Sequence, residues 1–92
     1  MRIEIRRTGG FTGIERRAEV DTSGRPDAGD WHTLTEQAVA TAPGTPPAGV
    51  PDGFRYQITV EDQGHSRTVY CADPRLTDEQ RALITRVLKE GA

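Results

Sequence analysis

Residues 54–60, Phe-Arg-Tyr-Gln-Ile-Thr-Val, carry an apolar side chain at every second position. Successive side chains of a strand point to opposite faces, so a period of two describes a strand with one covered face and one wet face. The same alternation opens the chain. Ile3 and Ile5 face one way, and Arg2, Glu4 and Arg6 the other. It resumes from Ile14, with Ile14, Arg16, Ala18 and Val20 opposite Glu15, Arg17 and Glu19. Gly9-Gly10 stands between these two runs, and alternating runs joined by a glycine-rich turn predict a β-hairpin. Arg16 interrupts the apolar face and is expected at a strand end with its head in water. Residues 61–65 read as a second turn. Residues 66–72 then form a returning strand, with Val69 and Cys71 inward and Thr68 and Tyr70 outward.

Helices are expected in two places. After a polar connection over residues 21–30, Trp31, Leu34, Ala38 and Ala42 recur at helical spacing. Asp30 offers a cap there, and Thr33 with Glu36 a second capping register. Thr77-Asp78-Glu79-Gln80 is a capping box with two carboxylates in the first turn, where the helix dipole favours them. Leu83, Ile84, Val87 and Leu88 supply the apolar stripe of that last helix, and Gly91 is expected to stop it. Residues 42–53 hold four of the six prolines and read as a loop with extended stretches. The element order ββ-α-ββ-α predicts an α+β fold. Two β-hairpins make a four-stranded antiparallel sheet, with both helices packed on one face.

Ninety-two residues suit a single domain spanning 1–92. Leu, Ile, Val and Phe number only 17 of them, which predicts a thin core with little volume for a catalytic cleft. A net charge of −2 argues against sequence-independent nucleic-acid binding. Arg2, Arg6, Arg7, Arg16, Arg17, Arg55 and Arg67 lie on or near strands. Glu4, Glu15 and Glu19 interleave with them, so cross-strand ion pairs are expected rather than a basic platform. There is no run of 18 apolar residues to span a membrane and no signal-peptide h-region, so a cytoplasmic location is expected.

Chemistry-bearing residues are sparse. His32, His65 and Cys71 are the only soft metal ligands, and none has a partner at ligand spacing, so no metal and no cofactor is expected. His65 and Cys71 share a face of one strand, but Cys71 also shares it with Val69 and reads as core rather than nucleophile. The carboxylate pairs Glu61-Asp62 and Asp78-Glu79 fall in a turn and a helix cap. Gly9-Gly10 with Gly13 lacks the Lys-Ser/Thr of a phosphate loop and joins two strands. What is left is the profile of a non-enzymatic binding module or inhibitor that presents loops.

Two stretches carry a resemblance. One is Arg2-Ile3 followed by Gly9-Gly10-Phe11-Thr12-Gly13-Ile14. The other is Phe54-Arg55-Tyr56-Gln57-Ile58-Thr59-Val60-Glu61-Asp62, with Thr68-Val69 in the strand after it. Together they resemble the emfourins, small bacterial inhibitors of protealysin, a thermolysin-like zinc metallopeptidase. The middle departs from that pattern: a short helix and a Pro/Gly loop replace a longer Leu- and Glu-rich helix, so no partner contact is carried over from it.

The resemblance implies an inhibitor that occludes the peptidase cleft with the glycine-rich hairpin loop, with the peptidase as partner. Gly9, Gly10, Phe11, Thr12 and Gly13 are then the first contact loop, and Asp62, Gln63, Gly64 and His65 the second. Phe11 is either an aromatic anchor for an apolar pocket or a ring folded back onto the core. Asp62 and His65 either approach the zinc or are plain turn residues. Both tips act together only if they lie at one end of the sheet, and the sequence leaves that open. The rival reading is a regulatory interaction domain of the same fold that does not inhibit.

Overall fold

The computed structural model describes residues 1–10, 13–45, 53–73 and 75–91. Its order is β1 (Arg2–Gly9), β2 (Arg16–Asp21), α1 (Ala28–Ala40), β3 (Phe54–Asp62), β4 (His65–Ala72) and α2 (Asp78–Glu90). The strands form one antiparallel sheet in the order β2-β1-β3-β4. The expected α+β architecture is present. Because β1 is antiparallel to both β2 and β3, those two strands run parallel to each other, and α1 is the crossover between them.

Ile3, Ile5, Ala18, Val20, Tyr56, Ile58, Val69 and Cys71 face the helices and are buried. Trp31, Ala38 and Val39 of α1 and Leu83, Ile84 and Val87 of α2 close the core from the other side. The opposite face is wet and charged. Arg2 pairs with Glu19 and Glu61, Arg6 with Glu15 at 2.9 Å, and Arg17 with Glu4 at 3.4 Å. These are the cross-strand pairs that the interleaved charges predict. Exposed pairs of this kind add about 0–1 kcal/mol each, so they neutralise the face more than they hold it together.

Helix α1 starts earlier than expected. Ala28 is its first residue and Asp27 its N-cap, so Asp30 lies in the first turn and neither predicted cap is used. The reason is a competing partner set for Asp27. Its carboxylate accepts from Trp31 Nε1 at 3.1 Å, from Arg25 Nε at 3.0 Å and from Arg86 at 2.9 Å. Glu90 closes the circuit, accepting from Arg25 and from Arg86 at 3.0 Å each. The buried stripe differs too. Thr35 and Val39 join Trp31 and Ala38, while Leu34 is only partly buried.

Helix α2 begins with the predicted box. Gln80 N donates to Thr77 Oγ1, and Thr77 N to Gln80 Oε1. Helix α1 has no basic residue in its last turn and α2 has Lys89, and carbonyls at both ends find partners elsewhere in the fold. Gln80 Nε2 and Arg67 reach Ala38 O and Val39 O, and Arg16 reaches Leu88 O at 2.8 Å. Arg16 therefore sits at a strand end, as expected, but its head binds a helix terminus. Gly91 caps α2 at φ −76°, where any residue fits. It is glycine because a Cβ there would lie 2.6 Å from Val87 O and 2.8 Å from Glu19 O. The Pro/Gly segment starts along the β4 edge, where Tyr70 N donates to Pro43 O at 2.9 Å. Residues 46–52 of that predicted loop lie outside the described residues.

Candidate functional site

The two predicted contact loops lie at opposite ends of the sheet. Gly9 is in register with Phe54 at the start of β3, whereas Asp62 pairs with His65 at the far end of the same strand. They mark the two ends of the nine-residue β3, whose first and last residues are about 26 Å apart at a strand rise of ~3.3 Å. One cleft can take one end. Gly9, Gly10 and Gly13 belong to the first end and residues 62–65 to the second; Phe11 and Thr12 lie outside the described residues.

At the first end, two glycines are held by their neighbours. Gly9 has φ +91°, and a Cβ there would lie 2.6 Å from Gly53 O. Gly10 has φ +76°, and its Cβ would lie 2.6 Å from Cε1 of the Phe54 ring. L-residues rarely adopt such angles, and the contacts leave no space for a side chain in any case.

The ring is held in turn. Arg7 places its guanidinium 4.4 Å from the Phe54 centroid, and Tyr56 lies against it with centroids 6.4 Å apart. Phe54 O accepts from Asp73 N at 3.0 Å, which fixes the backbone beneath the ring. Ile14 follows the turn as the exposed large aliphatic among the described residues, at 68% exposure.

The second end is built differently. Gln63 and Gly64 both have positive φ, +51° and +80°, the signature of a two-residue type I′ hairpin turn. A Cβ on Gly64 would meet nothing within 4 Å. A shallow depression of about 320 Å³ lies between this turn, the N-terminus and the end of β2. Its walls include Asp21, Glu61 and Asp62, facing the Met1 amino group and Arg2.

Placement separates the two residues that could have formed a nucleophile pair. His65 and Cys71 are six strand residues apart, about 20 Å, and do not meet. Burial first, then Asp73, pushes the Cys71 thiol up to about 11, so it is not a thiolate at neutral pH. Burial likewise raises the Tyr56 hydroxyl, with Asp73 adding to the effect. Among the described residues no three of His, Cys, Asp and Glu converge on a metal position, and no helix is long and apolar enough to cross a membrane.

Two features of these ends escaped the sequence reading. Arg7 continues the Ile3, Ile5 face, so the period-two pattern already puts a charge on the inner side of β1. Asp27 stands four residues before Trp31, and Arg86 four before Glu90, the spacing at which helical side chains meet. The family model described as Emfourin matches residues 5–88. No curated protein and no solved structure gives a significant match.

Proposed function

The chain belongs to the emfourin family, and from that premise we propose that it inhibits a thermolysin-like zinc metallopeptidase by inserting the β1–β2 turn into the active-site cleft. Membership in a family of protein inhibitors supports a non-enzymatic role and a protease as partner. The finer assignment rests on one observation: Gly9 and Gly10 stand at positive φ, so close to Gly53 and Phe54 that neither has room for a Cβ. Peptidases bind substrates extended, with φ negative. Left-handed backbone at Gly9 and Gly10 enters a cleft without offering a cleavable conformation there, and close packing of these two glycines lowers the entropy cost of docking. Of the two ends this one is proposed as the contact, with Phe11 as its aromatic anchor. Residues 62–65, some 26 Å away along β3, stay outside the cleft.

The test is titration of a thermolysin-like peptidase with the purified protein. The expected result is stoichiometric inhibition that substrate competes away. Phe11→Ala should weaken it by about 2 kcal/mol, as for a binding hot spot. No inhibition at micromolar concentration would leave an interaction domain of the same fold as the better description.

A further inference from the structure

A loop offered to a peptidase is also a potential substrate, and glycine alone does not prevent cleavage. Glycine adopts negative φ as readily as positive. Gly10 stands at +76° so close to the Phe54 ring that a Cβ on it would lie 2.6 Å from Cε1. Resting on the inhibitory reading above, we propose that Arg7 and Phe54 are positioning residues that hold Gly10 out of the extended form a peptidase cleaves. Without their stack, the protein becomes a slow substrate of its own target.

Arg7 is the telling residue. It follows Ile3 and Ile5 on the helix-facing side of β1, where both isoleucines are wholly buried. Its Nε is buried with no hydrogen-bond partner, a destabilising arrangement that an aliphatic side chain would avoid. Its guanidinium lies over the Phe54 ring at 4.4 Å, within the range of a cation–π interaction. Phe54 is half-buried, and its backbone is tied to β1 through Gly9 and to the turn after β4 through Asp73. The ring is thus held through its backbone and covered on one face by Arg7. Gly10 packs against what remains.

Removing either partner lets the ring move and Gly10 relax towards extended φ. The target peptidase then adds water across a peptide bond of the connection, releasing a new carboxylate and a new amine. Where opening is fast relative to cleavage, the cleavage rate follows the population of the open form. Losing a partly desolvated cation–π contact should raise that population about tenfold, equivalent to about 1.4 kcal/mol.

The experiment incubates the wild-type protein and its variants in equimolar amount with a thermolysin-like peptidase. It follows enzyme activity over hours and the inhibitor by mass spectrometry. Wild type should inhibit persistently and stay intact. Arg7→Gln and Phe54→Ala should inhibit at first, then release activity about tenfold sooner, together with a cut in the β1–β2 connection. Phe54→Tyr, which keeps the ring, should behave as wild type. Arg86→Gln serves as the control for global loosening, because it weakens the distant Trp31 stack and should lower the melting temperature without shortening inhibition. Should Arg7→Gln and Phe54→Ala remain uncut and persistent, the positioning role is wrong. It is equally wrong if Arg86→Gln is cut as fast as they are. Wild type that does not inhibit at all overturns the inhibitory reading itself. Should Phe54→Ala fail to fold, Arg7→Gln against Phe54→Tyr decides the matter.

Discussion

Among the described residues, two aromatic rings carry an arginine over their faces, in opposite settings. Trp31 is fully buried, with the guanidinium of Arg86 at 4.1 Å and that of Arg25 at 5.5 Å. Asp27 and Glu90 then pair with both arginines, so the charges close on themselves and tie the start of α1 to the end of α2. Phe54 is half-buried, and among the described residues no carboxylate pairs with Arg7 above it. The first stack is complete and joins two helices. The second is open on one side and borders Gly10 at the end of the sheet. Similar chemistry joins two helices in one place and is proposed to set loop geometry in the other, and burial together with closed ion pairing separates the two.

The largest effect expected is on the closed stack. Trp31→Ala should cost about 3–5 kcal/mol by leaving a cavity in the core, while inhibition per folded molecule stays intact. Phe54→Ala should cost less than about 2 kcal/mol, as its ring is only partly covered. Thermal melts of the two variants check this, and equal losses would erase the distinction.

The glycines at the two turns sharpen it next. Gly64→Ala should cost about 1–2 kcal/mol for its left-handed conformation alone and leave inhibition unchanged. Gly10→Ala should cost more, because its Cβ would also press on the Phe54 ring, and it should abolish inhibition. If Gly64→Ala removed inhibition and Gly10→Ala did not, the ends would have to be exchanged.

A smaller effect is expected from acid. The Arg25 guanidinium holds the Asp27 carboxyl below its ordinary value, and Arg86, then Arg25, does the same for Glu90. A carboxylate with a depressed folded pKa contributes stability above its unfolded pKa and loses it as pH falls through the folded one. The melting temperature should therefore drop as pH falls below about 4, the ordinary carboxylate range. That drop should shrink in an Arg25→Gln/Arg86→Gln protein and be unaltered in Arg7→Gln.

The smallest change concerns Cys71, which pairs with Tyr56 beside the open stack. With its thiol buried and pushed up to about 11, it should react with a disulfide reagent only on unfolding. The labelling rate should be nearly the same in wild type and Arg7→Gln if the stack opens locally. Faster labelling in Arg7→Gln would show that the whole end of the sheet opens.

How much was legible beforehand follows the range of each interaction. Alternation over residues 2–6 and 54–60, and the Thr77–Gln80 box, are set by neighbours in the chain, so strands and α2 could be read directly. Helix α1 was misplaced at its start. Asp27 is held by Arg86, 59 residues away, and no local pattern marks that pairing. Within the candidate site, Gly9 and Gly10 were visible as turn residues. Their second requirement, contact with Gly53 and Phe54, comes from a strand more than 40 residues later. Arg7 carried a signal of its own, a charge on an apolar face, but the sequence could not say which ring it would meet.

Period-two and helical periodicities, with their caps and glycines, were enough to dictate the elements, the apolar face of each and the family resemblance, because backbone sterics and side-chain direction act within a few residues. Whether the two hairpin tips share an end depends on how β3 docks against β1, and the alternating patterns fit either direction. That docking is antiparallel, with α1 as the crossover. It parts the tips by the length of the sheet and leaves the Gly9–Gly10 turn beside Phe54. Strand order is a choice among long-range pairings of nearly equal local merit, settled by how Trp31, Leu83 and Val87 together cover one face of the sheet.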